Sequence, residues 1–307
     1  MPDTVNAVQI TAYGGPEVVL FGPVPAPVPA EDEVLIRLHA AGVNPVDWKT
    51  REGMRRSRET IDLPAVIGCD VSGTVVGKGS AVEGFEIGQE VFAMTGLRGA
   101  FKEVVAVKAD QVAPKPTSID HVHAAAVPLA ALTAWQALDL AELAAGQRIL
   151  IHAAAGGVGS FAVQLARVRG AEVVGTASAR NADYVRSLGA NQVIDYRTEA
   201  FETATRPVDV VFDLMGGETQ ARSWQVLKPG GILVTAVMPP AEGAPDGLRV
   251  VRVGVRPLGH QLREIAGLID AGRVRIHVDR TLPLSDAGDA LELVRQGHTR
   301  GKVVLVS

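Results

Sequence analysis

Apolar positions along the chain follow two different rhythms. From Val5 to about Val112 they fall in short runs, "AVQITAYGG", "EVLIRLHAAG", "VSGTVVGKGS", "GQEVFAM" and "FKEVVAV", separated by Gly and Pro. Short β-rich pieces at this spacing predict a compact, irregular antiparallel β-domain. "GPVPAPVPAEDE" interrupts them as a proline-rich connector that favours extended polyproline conformation over helix.

After Pro116 strands alternate with helical periods, the pattern of βαβ units and a parallel sheet. "RILIHAA" predicts a strand, and Val158, Phe161, Ala162, Leu165 and Ala166 recur behind it as one buried helical stripe. "EVVGTA", "NQVIDY", "VDVVFDL" and "GGILVTAV" predict further strands. Helices are expected over "NADYVRSLG", with Asn181 as N-cap and Gly189 at its end, and over about residues 218–227. Leu262, Ile265, Ala266 and Ile269 form another stripe, as do Ala287, Ala290, Leu291 and Val294 behind a Ser285 cap; "GKVVLVS" closes the chain as a strand.

Composition narrows the class. A length of 307 residues favours two domains, and 47% apolar with 21% charged residues is ordinary for a soluble globular protein. A net charge of −4 gives no electrostatic support to nucleic-acid or membrane-surface binding. Cys69 is the only cysteine, which excludes an intramolecular disulfide and a thiolate-rich metal centre within one chain, and suits a reducing compartment. "MPDTVNAVQI" lacks the pattern of a signal peptide, and "AAAVPLAALTAW" is too short and too rich in Ala and Pro to span a bilayer. A cytoplasmic, soluble protein is expected.

The most specific chemistry lies in "ILIHAAAGGVGSFAVQLA". Ala153-x-x-Gly156-x-x-Gly159 sits between a predicted strand and a predicted helix, as a dinucleotide-binding turn requires. Small residues let backbone approach a pyrophosphate, and the helix start offers free N–H groups and the positive end of its dipole. Ala154, Gly156, Gly157, Val158 and Gly159 are the expected contacts. A close strand-to-helix turn with no ligand is the plainer alternative; the strands that follow in βαβ order favour the nucleotide. At the end of the second strand stand Thr176, Ala177, Ser178, Ala179 and Arg180, with no carboxylate to repel a 2′-phosphate. Ser178 can donate a hydrogen bond and Arg180 a charge-assisted one to such a phosphate, which favours NADPH over the plainer alternative of Arg180 as a solvated residue at a helix start. Tyr196, at the end of the third strand, could reach the same adenine-ribose region, against the plainer alternative of a half-buried strand tyrosine.

"AVQITAYGGPEV", "VLIRLHAAGVNPVDWKTREG", "IGCDVSGTVVGKG", "LTAWQAL", "ILIHAAAGGVGSFAVQLA", "LGANQVIDY", "LKPGGILV" and "GKVVLV" together resemble, in order and over nearly the whole chain, the zeta-crystallin-like branch of the medium-chain dehydrogenase/reductase superfamily. These are zinc-independent quinone and enone oxidoreductases. The resemblance implies an α/β protein with a GroES-like β-rich catalytic domain, residues 1–120 and 268–307, and a Rossmann NADPH-binding domain, residues 121–267, with the active site in the cleft. It implies a homodimer and hydride transfer from NADPH to a quinone or to the C=C of an α,β-unsaturated carbonyl. Thr133 matches a family threonine near the nicotinamide, and Val237 and the turn from Asp213 to Gly216 match backbone positions along the coenzyme.

Zinc enzymes of the superfamily carry a cysteine and a histidine near Val43-Asn44 and Gly68-Cys69-Asp70. Here the first place is Asn44 and no histidine stands beside Cys69, so no zinc is expected and Cys69 reads as a small buried hydrophobe. His121 and His123 read as surface or capping residues. A metal-free reductase needs hydrogen-bond donors or a cation for the developing oxyanion, and a proton. "NPVDWK" is the candidate turn. Asn44 matches a position lining the substrate pocket, Asp47 either faces the substrate or holds the turn, and Lys49 is a candidate electrostatic stabiliser or proton donor against the alternative of a solvated lysine. Many quinone reductases of this branch have tyrosine where Lys49 stands and another near Arg55, which shifts the expected substrate modestly toward enones. Two other readings stay open: a non-catalytic NADPH-binding sensory or structural protein, and an enoyl reductase of a carrier-protein pathway. The Pro/Gly-rich "VMPPAEGAPDG" is either a lid or slack.

Overall fold

The protein is described by a computed structural model over residues 3–56 and 61–307. It divides into two compact units: residues 1–129, 256–272 and 276–307 form one, and 130–255 with 273–275 the other. The chain begins with β1 (Thr4–Ile10), β2 (Val19–Pro25), β3 (Glu33–Val43), α1 (Pro45–Arg51), β4 (Ala65–Val66), β5 (Asp70–Lys78), β6 (Glu90–Met94), β7 (Val104–Lys108) and β8 (Val112–Pro114). Helices α2 (His121–Ala125) and α3 (Pro128–Leu140) follow. Next come β9 (Arg148–Ile151), α4 (Gly157–Val168), β10 (Glu172–Ala177), α5 (Ala182–Ser187), β11 (Gln192–Asp195), α6 (Phe201–Ala204), β12 (Val208–Asp213), α7 (Gly217–Ser223), β13 (Leu227–Thr235) and β14 (Arg249–Arg252). The last elements are α8 (Gly259–Asp270), β15 (Val278–Pro283), α9 (Ala287–Arg295) and β16 (Lys302–Val306).

In the first unit one sheet runs β15-β16-β3-β5-β6-β8, with β7 also on β3, and a smaller one runs β2-β1-β4. Strand β3 is buried on both faces: Val34, Ile36 and Leu38 join the main core with Val71, Val91 and Phe101, while Leu35 packs with Val5 and Val104. The period of two divides one strand between two apolar clusters. Strand β16 pairs antiparallel with β3, Val303 opposite Val43, which brings Lys302 to the point where β3 ends. The connector expected to be polyproline contributes its first residues to β2, where Pro23 and Pro25 lie opposite Asn6 and Thr4. Because β2 is an edge strand, the missing proline N–H groups cost the ladder little.

In the second unit six parallel strands run β11-β10-β9-β12-β13-β14. This is a doubly wound sheet whose order reverses between β9 and β12, where such folds bind ligands at the strand C-termini. Phe161, Ala162, Leu165 and Ala166 bury the stripe of α4 as the periodicity requires; Val158, in the first turn, is half-buried.

Two local readings are corrected. "NPVDWK" is not a turn but the start of α1, with Pro45 at its first position and the Asp47 carboxylate accepting from the Asn44 backbone N–H at 2.7 Å. Ser285 does not cap α9; its hydroxyl donates to Asp286 at 2.9 Å within a 3₁₀ turn over Leu284–Asp286. Asn181 holds the N-cap position of α5 as expected, but in helical conformation and without a side-chain cap bond. The unit boundaries also differ from the expected 120/121 and 267/268, because α2 and α8 belong to the first unit. A Cβ on Gly259 would lie 2.6 Å from the backbone oxygens of Asp110 and Val112, so α8 starts directly against β8, and Asp270 at its end accepts the Thr117 and Ser118 N–H groups. Periodicity reveals an amphipathic helix without saying which core its stripe joins.

Candidate active site

The turn into α1 closes over a buried polar cluster. Asn44 and Asp47 are each 1% exposed and Asp70 is fully buried. The Asn44 carboxamide donates to Gly42 O at 3.2 Å and to Asp70 Oδ2 at 2.9 Å, while its oxygen accepts from Lys302 Nζ. Lys302 also donates to Val43 O at 2.8 Å, and its ammonium lies 3.6 Å from Asp70 Oδ2. The other Asp70 oxygen accepts the Leu129 N–H at 2.8 Å, and Asp47 Oδ1 accepts from the Cys69 thiol at 3.2 Å. Two expectations change here. Both amide donors of Asn44 are consumed inside the protein, so its carboxamide does not face a substrate in this arrangement. Cys69 is buried but acts as a hydrogen-bond donor and not only as a small hydrophobe.

Burial governs the protonation of this cluster. It pushes Asp47 up to about 7, against the Asn44 N–H and Cys69 bonds that favour the carboxylate. Burial raises Asp70 against the Lys302 charge, lowers Lys302 against Asp70, and drives the Cys69 thiol well above its usual range, with the two carboxylates adding to that rise.

Lys49, one turn further along α1, is placed differently. It is half-buried, and its ammonium lies 5.5 Å from the centre of the Trp48 ring. Burial lowers its pKa, and the nearby Arg55 guanidinium lowers it further. No carboxylate pairs with it among the described residues. Helix α1 is held at its far end by Arg51, fully buried, which meets Glu292 of α9 at 2.7 Å and Glu52 at 3.1 Å. Lys49 is therefore a cation on a fixed helix with donors to spare.

In the second unit β9 delivers the chain to a tight turn. Ala153 adopts φ +49°, Ala154 donates to Thr176 O at 3.0 Å, and Gly156 is the extended N-cap of α4. The N–H groups of Gly157, Val158 and Gly159 precede the first intrahelical bond, from Ser160 to Gly156, and form an anion-ready helix start. A Cβ on Gly159 would lie 2.3 Å from Ala153 O and 2.8 Å from the Ala154 Cα, so only glycine allows this approach. The residues present thus fit a pyrophosphate cradle. At the end of β10, Ser178 is buried and Arg180 exposed; Tyr196 follows β11, 56% exposed, with its N–H on Ala177 O at 3.3 Å. Thr133 is buried in α3.

The sequence reading missed His152 and took Asp213 only as part of a backbone turn; both are positioning residues. Asp213, at the end of β12, accepts the Met215 and Gly216 N–H groups at 2.9 Å each on one oxygen, and Gln220 and Thr235 on the other. It holds the turn in which Gly216 takes φ +74°, with Val237 so close that a Cβ on Gly216 would lie 3.0 Å from it. His152 is 1% exposed and bridges Thr176 at 3.2 Å and Ser223 at 3.0 Å, fastening the glycine turn to β10 and α7. An isolated polar residue at a strand end in "RILIHAA" was the available signal. The segment after Val237 packs as a loop over α7 and borders an open cleft of about 400 Å³ with Gln220, Trp224, Pro240 and Pro245.

Burial lowers His152 to about 4, so it is neutral in the folded protein. Its folded pKa lies below the unfolded value of about 6.5, so protons bind the unfolded chain better and stability is lost as pH falls from about 6.5 towards 4. A shift of that size corresponds to roughly 3 kcal/mol. Thermal melts between about pH 7 and about pH 4.5 are expected to show the parent losing its advantage over His152→Asn on acidification. An advantage that stays constant would assign His152 no such linkage.

His121 and His123 have the ordinary roles expected. Asp120 caps α2 through the His123 N–H, and His121 bonds Ser72 and Glu90 while stacking on His39 at 4.3 Å.

Two family models match the chain: "Alcohol dehydrogenase GroES-like domain" over residues 30–117 and "Zinc-binding dehydrogenase" over 188–305. An NADPH-dependent alkenal/one oxidoreductase, chloroplastic, of Arabidopsis thaliana is 39% identical over 99% of this chain and 80% of its own. The chain belongs to the medium-chain dehydrogenase/reductase superfamily, among its quinone-oxidoreductase-like members. A 2-methylene-furan-3-one reductase of Solanum lycopersicum is 38% identical over 99% and 80% of the two chains. The Escherichia coli quinone oxidoreductase structure complexed with NADPH superposes with a TM-score of 0.87 at 31% identity, covering 98% of this chain and 100% of that one.

As an oxidoreductase of this superfamily, the protein pairs a GroES-like β-rich unit with a Rossmann unit. The zinc in one family description does not fit its residues. Among the described residues no three His, Cys, Asp or Glu side chains are grouped to hold a metal ion, and an ammonium already sits beside Asp70. No helix among them is long and apolar enough to cross a membrane.

Proposed function

We propose that this protein is an NADPH-dependent, zinc-independent reductase of the C=C of α,β-unsaturated carbonyls, with quinones as a second class of acceptor. The observation that carries the reading is Lys49, a half-buried ammonium without a carboxylate partner among the described residues, on a helix fixed at both ends. The preference for enones rests on this lysine standing where many quinone reductases of the branch have tyrosine, and on the similarity to the alkenal/one and furanone reductases. A cytoplasmic homodimer belongs to the same reading. The lone, buried Cys69 suits a reducing compartment, and β14 is an edge strand of its sheet, the kind of strand through which two chains pair.

NADPH, when bound, supplies the hydride. The N–H groups of Gly157, Val158 and Gly159 would hold its pyrophosphate, and Ser178 and Arg180 its 2′-phosphate. Gly216, Val237, Thr133 and Tyr196 would line the remainder. Lys49 would hydrogen-bond the carbonyl oxygen and stabilise the negative charge that develops there as the β-carbon gains its hydride. Its lowered pKa makes it a better proton source for the enolate than a solvated lysine. Asp47 keeps the helix start in place and takes no part in proton transfer, being enclosed by Asn44 and Cys69.

The test is NADPH oxidation by chelator-treated protein against paired simple enones, quinones and enoyl thioesters. Turnover is expected to survive chelation, to be fastest with enones, and to prefer NADPH over NADH by a margin that shrinks roughly tenfold in Arg180→Ala. Loss of turnover on chelation would overturn the metal-free reading, and equal use of NADH the coenzyme reading.

A further inference from the structure

The catalytic reading leaves a buried lysine unused. Lys302 stands at the start of the C-terminal strand, and its ammonium meets Val43 O, Asn44 Oδ1 and Asp70. Asp47, Cys69 and Asp70 are three buried groups able to carry negative charge, and Lys302 is the single cation bonded into their network among the described residues. Two carboxylates removed from water require such a counter-charge.

The ammonium also dictates geometry. Because it faces Asn44 Oδ1, the Asn44 amide must turn its N–H groups to Gly42 O and Asp70 Oδ2. That contact orients Asp70 so that its other oxygen receives the Leu129 N–H, in the first turn of α3, which carries Thr133 one turn later. On the other side the Asn44 backbone N–H meets Asp47 at the start of α1, which carries Lys49. The packing leaves little slack, since a Cβ on Gly42 would lie 2.3 Å from Ala125 O and 2.9 Å from Asp70 Oδ2.

We propose that Lys302 is a positioning residue whose tethered ammonium is the resident cation of this cluster and sets the starts of α1 and α3. It touches neither substrate nor coenzyme; it acts through Asn44 and Asp70.

A double-mutant cycle tests this with Lys302→Met, Asp70→Asn and the combined variant in the full chain. Lys302→Met is expected to lower Tm and to reduce kcat by roughly tenfold or more while leaving the KM for NADPH within about twofold. Adding Asp70→Asn removes the carboxylate that the Lys302 ammonium faces, so the combined variant should recover most of the Tm but keep the kcat defect, since Asn44 is still released. A parent-like Tm in Lys302→Met would overturn the claim of a resident cation. Recovery of both Tm and kcat in the combined variant would reduce Lys302 to charge balance and overturn positioning. If Lys302→Met fails to fold, the combined variant must fold; its failure would also overturn the proposal. The kcat comparison rests on the reductase reading above and the melting comparison does not, so the two fail separately.

Discussion

Gly159→Ala is expected to weaken NADPH binding by roughly a hundredfold and to destabilise the Rossmann unit by about 1–3 kcal/mol. Two effects oppose each other. Alanine is a better helix residue than glycine by about 1 kcal/mol, and Gly159 lies in the first turn of α4. Against this, the new Cβ would stand 2.3 Å from Ala153 O, 2.8 Å from the Ala154 Cα and 3.0 Å from the Ala153 carbonyl carbon. All three are backbone atoms of the turn itself, so no side chain can swing aside and α4 must move away from β9. The steric term wins. Gly156→Ala is the control: its nearest neighbour would be Ala153 O at 3.4 Å, an ordinary contact, so the fold should survive and any loss of affinity would report on the approach of the ligand. Calorimetric titration with NADPH beside thermal melts measures both. Parent-like affinity in Gly159→Ala would mean that this turn is not the phosphate cradle.

Lys49→Met is expected to lower kcat by roughly a hundredfold with little change in NADPH affinity or Tm. Methionine keeps the apolar stem of a half-buried side chain and removes only the ammonium, which lies 5.5 Å from the centre of the Trp48 ring. The pH profile adds an independent readout. A proton donor works while protonated, so kcat/KM should fall as pH rises through the lowered pKa of Lys49. In Lys49→Arg that limb should vanish from the accessible range, because guanidinium stays charged. Full turnover in Lys49→Met would reduce the residue to scaffold.

The Rossmann unit was legible because its rules are local. The stripe of α4, the small residues from Ala153 to Gly159 and the order of strands each follow from spacing, and the sheet order places the turn at the reversal between β9 and β12. The first unit was legible in kind but not in detail. The grammar of a helix start was present in Asn44, Pro45 and Asp47, yet a seven-residue helix carries too little periodicity to stand out from a turn.

The buried cluster was hidden for a different reason. Lys302 and Asn44 are separated by 258 residues and meet only because β16 pairs with β3 in one particular register. A lysine in "GKVVLVS" reads as the polar lead-in to a strand, and nothing near it in sequence announces a partner. The same pairing changed the roles assigned in "NPVDWK". Asn44 and Asp47 were singled out for chemistry, but their hydrogen bonds turn inward and leave Lys49 as the charged group with donors to offer. His152 and Asp213 were likewise invisible as positioning residues, since each acts through partners on other strands and helices.

The central claim, hydride delivery to the β-carbon of an enone, is tested most directly by isotope transfer. NADPH deuterated at the transferable position of its nicotinamide ring is turned over with a simple enone, and the product is read by mass spectrometry and NMR. The account requires one deuterium on the carbon β to the carbonyl, and, with unlabelled NADPH in deuterated water, one on the α-carbon. Deuterium at the carbonyl carbon, or a product free of coenzyme-derived deuterium, would contradict it.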